Sequence, residues 1–175
     1  MHSFTSCLMH CGWSTKNREY FLSPDLPQRL WPYLGGIAKQ NQMKALAVGG
    51  TADHVHVLVS LPATSSIAKA IQLLKGNSSK WIHETFPKMR SFACQEGYGA
   101  FSIAISGVEA TVACIRNQSE HHHRARSFRE ELWECFADTD LIMTSRCWTE
   151  LFFRPSQDSR KDLISPSVET LGYFP

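Results

Sequence analysis

No stretch of this 175-residue chain approaches the roughly 18 consecutive apolar residues that cross a bilayer. Its N-terminus also lacks a basic region followed by an apolar core. These absences argue against a spanning helix and a secretory signal, and the expectation is a cytoplasmic protein with no membrane partner. The six cysteines, Cys7, Cys11, Cys94, Cys114, Cys135 and Cys147, form no CxxC pair and no zinc-knuckle spacing, so free thiols are expected in place of a disulfide framework. Nor does one sign of charge dominate. Eighteen Lys and Arg stand against 16 Asp and Glu, so total charge announces no nucleic-acid or acidic partner. Local basic groups remain at Lys75, Lys80, Lys88 and Arg90, and at Arg116, Arg124, Arg126 and Arg129, where solvated helix faces are the ordinary explanation.

What is present suffices for one domain and a tail, since 43% of the residues are apolar and a chain of this length can bury a core. Residues 3–13 read as a first strand, ending in the turn Ser14-Thr15-Lys16-Asn17-Arg18. A helix follows Pro24, with Leu26, Leu30, Tyr33, Leu34 and Ile37 near helical spacing and Pro27 and Pro32 opposing its first turns. Lys44 to Val48 read as a second strand, and Gly49-Gly50 as a turn into a third. Residues 64–86 carry Ile67, Ile71, Leu74, Trp81 and Ile82 at helical spacing, with a weak point at Gly76-Asn77 and a stop at Pro87. Phe101 to Ile105 alternate as a fourth strand. Ser106 and Glu109 then have capping-box spacing, which starts a third helix at Ser106. The order βαββαβα is the α+β, ferredoxin-like pattern, an antiparallel sheet with helices on one face. The boundary is placed at 137, and residues 138–175, rich in Ser, Pro and charge towards their end, read as a disordered C-terminal tail.

The third strand carries the chemistry. In Asp53-His54-Val55-His56-Val57-Leu58-Val59 alternate side chains point to opposite faces, so His54 and His56 stand together while Val55, Val57 and Val59 line the other side. Two adjacent imidazoles can hold a divalent ion, or serve as a hydrogen-bonded polar face, and spacing alone leaves both open. On the third helix Cys114 and Gln118 lie one turn apart on one face. His121-His122-His123 cannot all reach one ion, because successive helical residues point about 100° apart.

Six separated motifs then add up: Ser14-Thr15-Lys16-Asn17-Arg18, Gly49-Gly50, Asp53-His54-Val55-His56, Ser78-Ser79-Lys80-Trp81-Ile82, Gly97-Tyr98-Gly99-Ala100-Phe101-Ser102 and Asn117-Gln118-Ser119-Glu120-His121-His122. In this order and spacing, over residues 3–136, they resemble the single-tyrosine HUH transposases, the TnpA-like enzymes of small insertion sequences and their repeat-associated relatives. The resemblance implies a dimer that binds single-stranded or hairpin DNA for DNA transposition. It implies His54, His56 and Gln118 as ligands of Mg²⁺ or Mn²⁺, with Lys16, Arg18, Lys75, Lys80, Tyr98 and Arg116 facing DNA. It also exposes a departure: the family's nucleophilic tyrosine falls at Cys114. Cys94 replaces a frequent tryptophan, and Cys147 stands where a C-terminal tyrosine is expected. The resemblance therefore implies strand cleavage and transfer with the nucleophile lost, or a catalytically inactive DNA-binding regulator or decaying copy.

Overall fold

A computed structural model describes residues 5–22 and 25–118, all within one compact unit, Met1–Ile142. The expected tail at 138–175, the histidines 121–123, Cys135 and Cys147 lie outside the described residues. The elements are β1 (Leu8–Ser14), α1 (Asp25–Gln40), β2 (Lys44–Gly50), β3 (His54–Ser60), α2 (Ile67–Thr85), β4 (Gly99–Ser102) and α3 (Val108–Arg116). This is the expected βαββαβα order.

The four strands form one antiparallel sheet in the order β2-β3-β1-β4. Strand β3 is central, which explains its continuous apolar and histidine run: six of its seven residues are buried because both faces are covered. On one face Met9, Cys11 and Trp13 of β1 and Val55, Val57 and Val59 of β3 join Leu26, Leu30, Leu34 and Ile37 of α1 and Ala70, Ile71, Leu74 and Ile82 of α2 in a single core. These are the two helices of the ferredoxin-like core. Helix α3, the added element, covers the histidine face: a Cβ on Gly49, the register partner of His56, would run into the Ile115 carbonyl oxygen.

Several boundaries move for physical reasons. Helix α1 runs through Pro32, because the buried stripe Leu26, Leu30, Leu34, Ile37 and Ala38 outweighs one missing backbone hydrogen bond. Helix α2 continues across Gly76-Asn77, capped by Ser66, whose Oγ accepts from the Lys69 amide at 3.2 Å. Gly49 and Gly50 belong to β2, paired with His56 and Val55, and the turn falls on the next three residues, closed by Thr51 N–H donating to the His54 carbonyl at 3.0 Å.

Strand β4 lies at 99–102 in place of 101–105, since its partner β1 begins at Leu8 and the last ladder-like bond is Ile103 N–H to Leu8 O at 2.9 Å. The capping box does not form. Ser106 is the middle residue of a 3-10 turn, Ile105–Gly107, so α3 starts at Val108 with Gly107 as a cap that makes no side-chain bond.

Candidate metal centre

Antiparallel pairing brings three histidines together. Gly12 is opposite His56 and Ser14 opposite His54, while His10 is opposite Leu58, so His10, His54 and His56 share the face under α3. All three are fully buried. The His54 and His56 rings lie edge to face with centroids 5.0 Å apart. His10 Nε2 lies 3.1 Å from His56 Nδ1, which engages that nitrogen and leaves a ligand role on His56 to Nε2. Burial pushes the His10 imidazole down to about 4. Burial, and then the charges of His54 and His10, hold His56 well below its ordinary value. Both are therefore neutral near pH 7, the form that binds metals.

His54 is oriented from behind. Its Nδ1 lies 2.8 Å from Asp53 Oδ1 and 2.9 Å from Thr51 Oγ1, and the Thr51 hydroxyl donates to Asp53 Oδ1 at 3.0 Å. Arg18 completes the chain, its Nε donating to Asp53 Oδ2 at 2.9 Å and its terminal nitrogen lying 2.8 Å from the same oxygen. Burial alone would raise the Asp53 carboxyl, but the bond to His54, the His54 charge and Arg18 outweigh it and hold the carboxyl well below the usual range. An ionised carboxylate only accepts, so Nδ1 carries the proton.

The opposite nitrogen, His54 Nε2, faces Gln118 Oε1 at 3.3 Å. In a protonated ring Nε2–H donates to this oxygen; in a neutral ring with its proton on Nδ1 both atoms are acceptors, an arrangement that a bound cation could bridge. Two imidazoles and an amide oxygen form a mixed donor set suited to Mn²⁺ or, with added water oxygens, Mg²⁺. Among the described residues no group of three His, Cys, Asp or Glu could hold a metal; the further donor seen beside His54 is the Gln118 amide oxygen.

Cys114, one turn before Gln118, is half-buried and within reach of it: Gln118 Nε2 donates to its sulfur at 3.9 Å. Cys7, Cys11 and Cys94 are free thiols.

The residues expected to face DNA differ in their surroundings. Lys16, Lys80 and Arg116 are exposed, although Lys80 Nζ also lies 3.8 Å from Glu84. Arg18 is bound to Asp53 beside the histidines. Lys75 Nζ donates to the carbonyls of Gln95, Glu96 and Gly97 at 2.5, 3.1 and 3.1 Å and so ties down the loop before β4. Tyr98, half-buried in that segment, packs against the core. His10, Thr51 and the orienting role of Asp53 were not singled out from sequence. The alternation that pairs His54 with His56 could have flagged His10 only with the β1–β3 register in hand.

Comparison with known proteins adds the family. The family described as "Transposase IS200 like" matches residues 3–118. The ISDra2 transposase TnpA of Deinococcus radiodurans is 28% identical over 81 residues, which span 46% of this chain and 58% of that protein. The transposase for insertion sequence element IS200 of Salmonella typhimurium is 23% identical over 137 residues, 75% of this chain and 86% of that protein. Among solved structures, a putative transposase from Deinococcus radiodurans superposes with a TM-score of 0.57 at 23% identity, covering 67% of this chain and 95% of that one. A REP-associated tyrosine transposase bound to a REP hairpin superposes with a TM-score of 0.52 at 14% identity, covering 70% and 72%. At these identities the superpositions establish the fold.

Proposed function

We propose a function from one established premise: the chain belongs to the IS200-like transposase family. On that premise it is a transposase-type protein that binds single-stranded or hairpin DNA, with an HUH-type metal site at His54, His56 and Gln118 and without the family's attacking tyrosine. The observation that carries the metal half is the facing pair His54 Nε2 and Gln118 Oε1 at 3.3 Å, with His54 Nδ1 held by Asp53. A divalent ion bound there would polarise a phosphate oxygen and stabilise charge developing on the leaving oxygen. The chain's own residues do the holding: His10 fixes the His56 ring, Asp53 and Thr51 fix the His54 ring, and the residues just past α3 bring Gln118 to His54.

The attacking half is missing because Cys114 takes the position of the tyrosine. Its side chain is far shorter than a phenol, and a thiolate is a soft nucleophile that attacks phosphorus poorly compared with a phenolate. A second reading, retention as a silent DNA-binding regulator, draws on the same residue.

The test is to incubate the full chain with a labelled hairpin bearing a single-stranded flank and Mn²⁺, then run native and denaturing gels. A shift in the native gel without a covalent protein–DNA adduct is expected, and Cys114→Tyr is expected to gain some adduct. An adduct formed by the unaltered chain would overturn the loss of the nucleophile. No adduct from a metal-binding, DNA-binding Cys114→Tyr chain would favour the silent regulator.

A further inference from the structure

Tyr20 is 81% exposed, and only Ile105 at 69% joins it among the exposed large apolar side chains of the described residues. Its neighbours do the opposite. Leu22 is buried in the core, and Phe21 packs edge-on against Phe92 with ring centroids 5.5 Å apart. Of the apolar run 20–22, only Tyr20 is turned into water.

A slack backbone does not account for this. Thr15 Oγ1 donates to the Glu19 carbonyl at 2.7 Å, Phe21 N–H to the same carbonyl at 2.8 Å, and Leu22 N–H to the Ala52 carbonyl at 2.9 Å. Asn17 and Arg18 both occupy the left-handed region, at φ 55° and 57°, a conformation that non-glycine residues keep only when their surroundings enforce it. Here that double turn swings the Arg18 guanidinium back onto Asp53. The loop also borders the metal site, because it follows Ser14, the register partner of His54, and is tied to the residue next to His54.

We propose that Tyr20 is a stacking platform for an unpaired base of the strand that leads to His54 and His56, with the exposed Lys16 taking a neighbouring phosphate. The inference rests on the DNA-binding reading above. An aromatic ring presented to water from a backbone fixed by these bonds can stack on any base, which suits single-stranded DNA of varied sequence. Arg18 is directed to Asp53, and the exposed Glu19 beside Tyr20 repels phosphate, so on this loop the ring reads the base and Lys16 supplies the charge.

Fluorescence anisotropy with two probes tests this: a hairpin carrying a single-stranded flank, and the same hairpin without it. Tyr20→Ala is expected to weaken binding of the flanked probe about tenfold, the loss of one stacking contact, and to leave the blunt probe unchanged. Tyr20→Phe should match the unaltered chain on both, since stacking needs no hydroxyl. Equal binding by Tyr20→Ala on the flanked probe overturns the platform, as does equal weakening on both probes or a Tyr20→Phe variant as weak as Tyr20→Ala. A chain that binds neither probe before substitution overturns the DNA-binding reading itself, and the platform with it. Because Tyr20 is exposed, all variants should melt together, which keeps loss of fold out of the comparison.

Discussion

Asp53 acts through the ring it faces. As an acceptor held ionised by Arg18 and by His54 itself, it keeps the proton on Nδ1 and turns Nε2 towards Gln118. Asp53→Asn is close to isosteric but can present N–H donors to the ring, which removes the preference for that tautomer. Calorimetric titration is expected to show Mn²⁺ affinity at least about tenfold lower in this variant, and unchanged affinity would contradict the orienting role. The sequence made His54 and His56 legible because strand alternation is a fixed geometric rule. It placed Asp53 in the motif without its role, since adjacency along a chain does not say which side chain reaches behind a ring. The left-handed turn that brings the Arg18 guanidinium to Asp53 cannot be read from the sequence, in which Arg18 is only one basic residue of a polar turn.

Helix α3 and strand β2 meet where only glycine fits. A Cβ at Gly49 would run into the Ile115 carbonyl oxygen and lie 2.9 Å from Ile115 Cγ2, so the absence of a side chain lets α3 seat closely enough to bring Gln118 to His54. Gly49→Ala is expected to cost about 1–3 kcal/mol by overpacking, read as a lower melting temperature, and to weaken Mn²⁺ binding with it. Gly76, in the middle of α2 with nothing near its would-be Cβ, supplies the contrast: Gly76→Ala should stabilise by roughly 0.5–1 kcal/mol and leave metal binding alone. A Gly49→Ala chain as stable as the unaltered one would contradict the close packing. The element order was legible from periodicity and turn residues, while the ends were not. Where β4 stops depends on where β1 starts, and where α3 starts depends on a 3-10 turn that consumes the expected cap. The glycine pair reads as a turn in one dimension and becomes a packing surface only once α3 is placed over it.

At the scale of the molecule, binding to a hairpin through Lys16, Lys80 and Arg116 should weaken steeply with salt, because each phosphate neutralised releases counterions. Anisotropy titrations at several salt concentrations are expected to give a linear fall of log affinity with log salt, shallower in Lys16→Ala. Light scattering is expected to find two copies per particle, as the family resemblance implies. Net charge could not have announced this partner, since near-balanced totals conceal which faces the cations occupy. The proposed function requires that His54, His56 and Gln118 bind a divalent ion although Cys114 stands where the family's tyrosine is expected. Calorimetric titration of Mn²⁺ into the full chain, beside a Gln118→Met variant of similar side-chain volume, tests it most directly. One ion per chain, bound by the unaltered protein and substantially weakened in the variant, is the expected result; no binding by the unaltered protein, or equal binding by both, would contradict it.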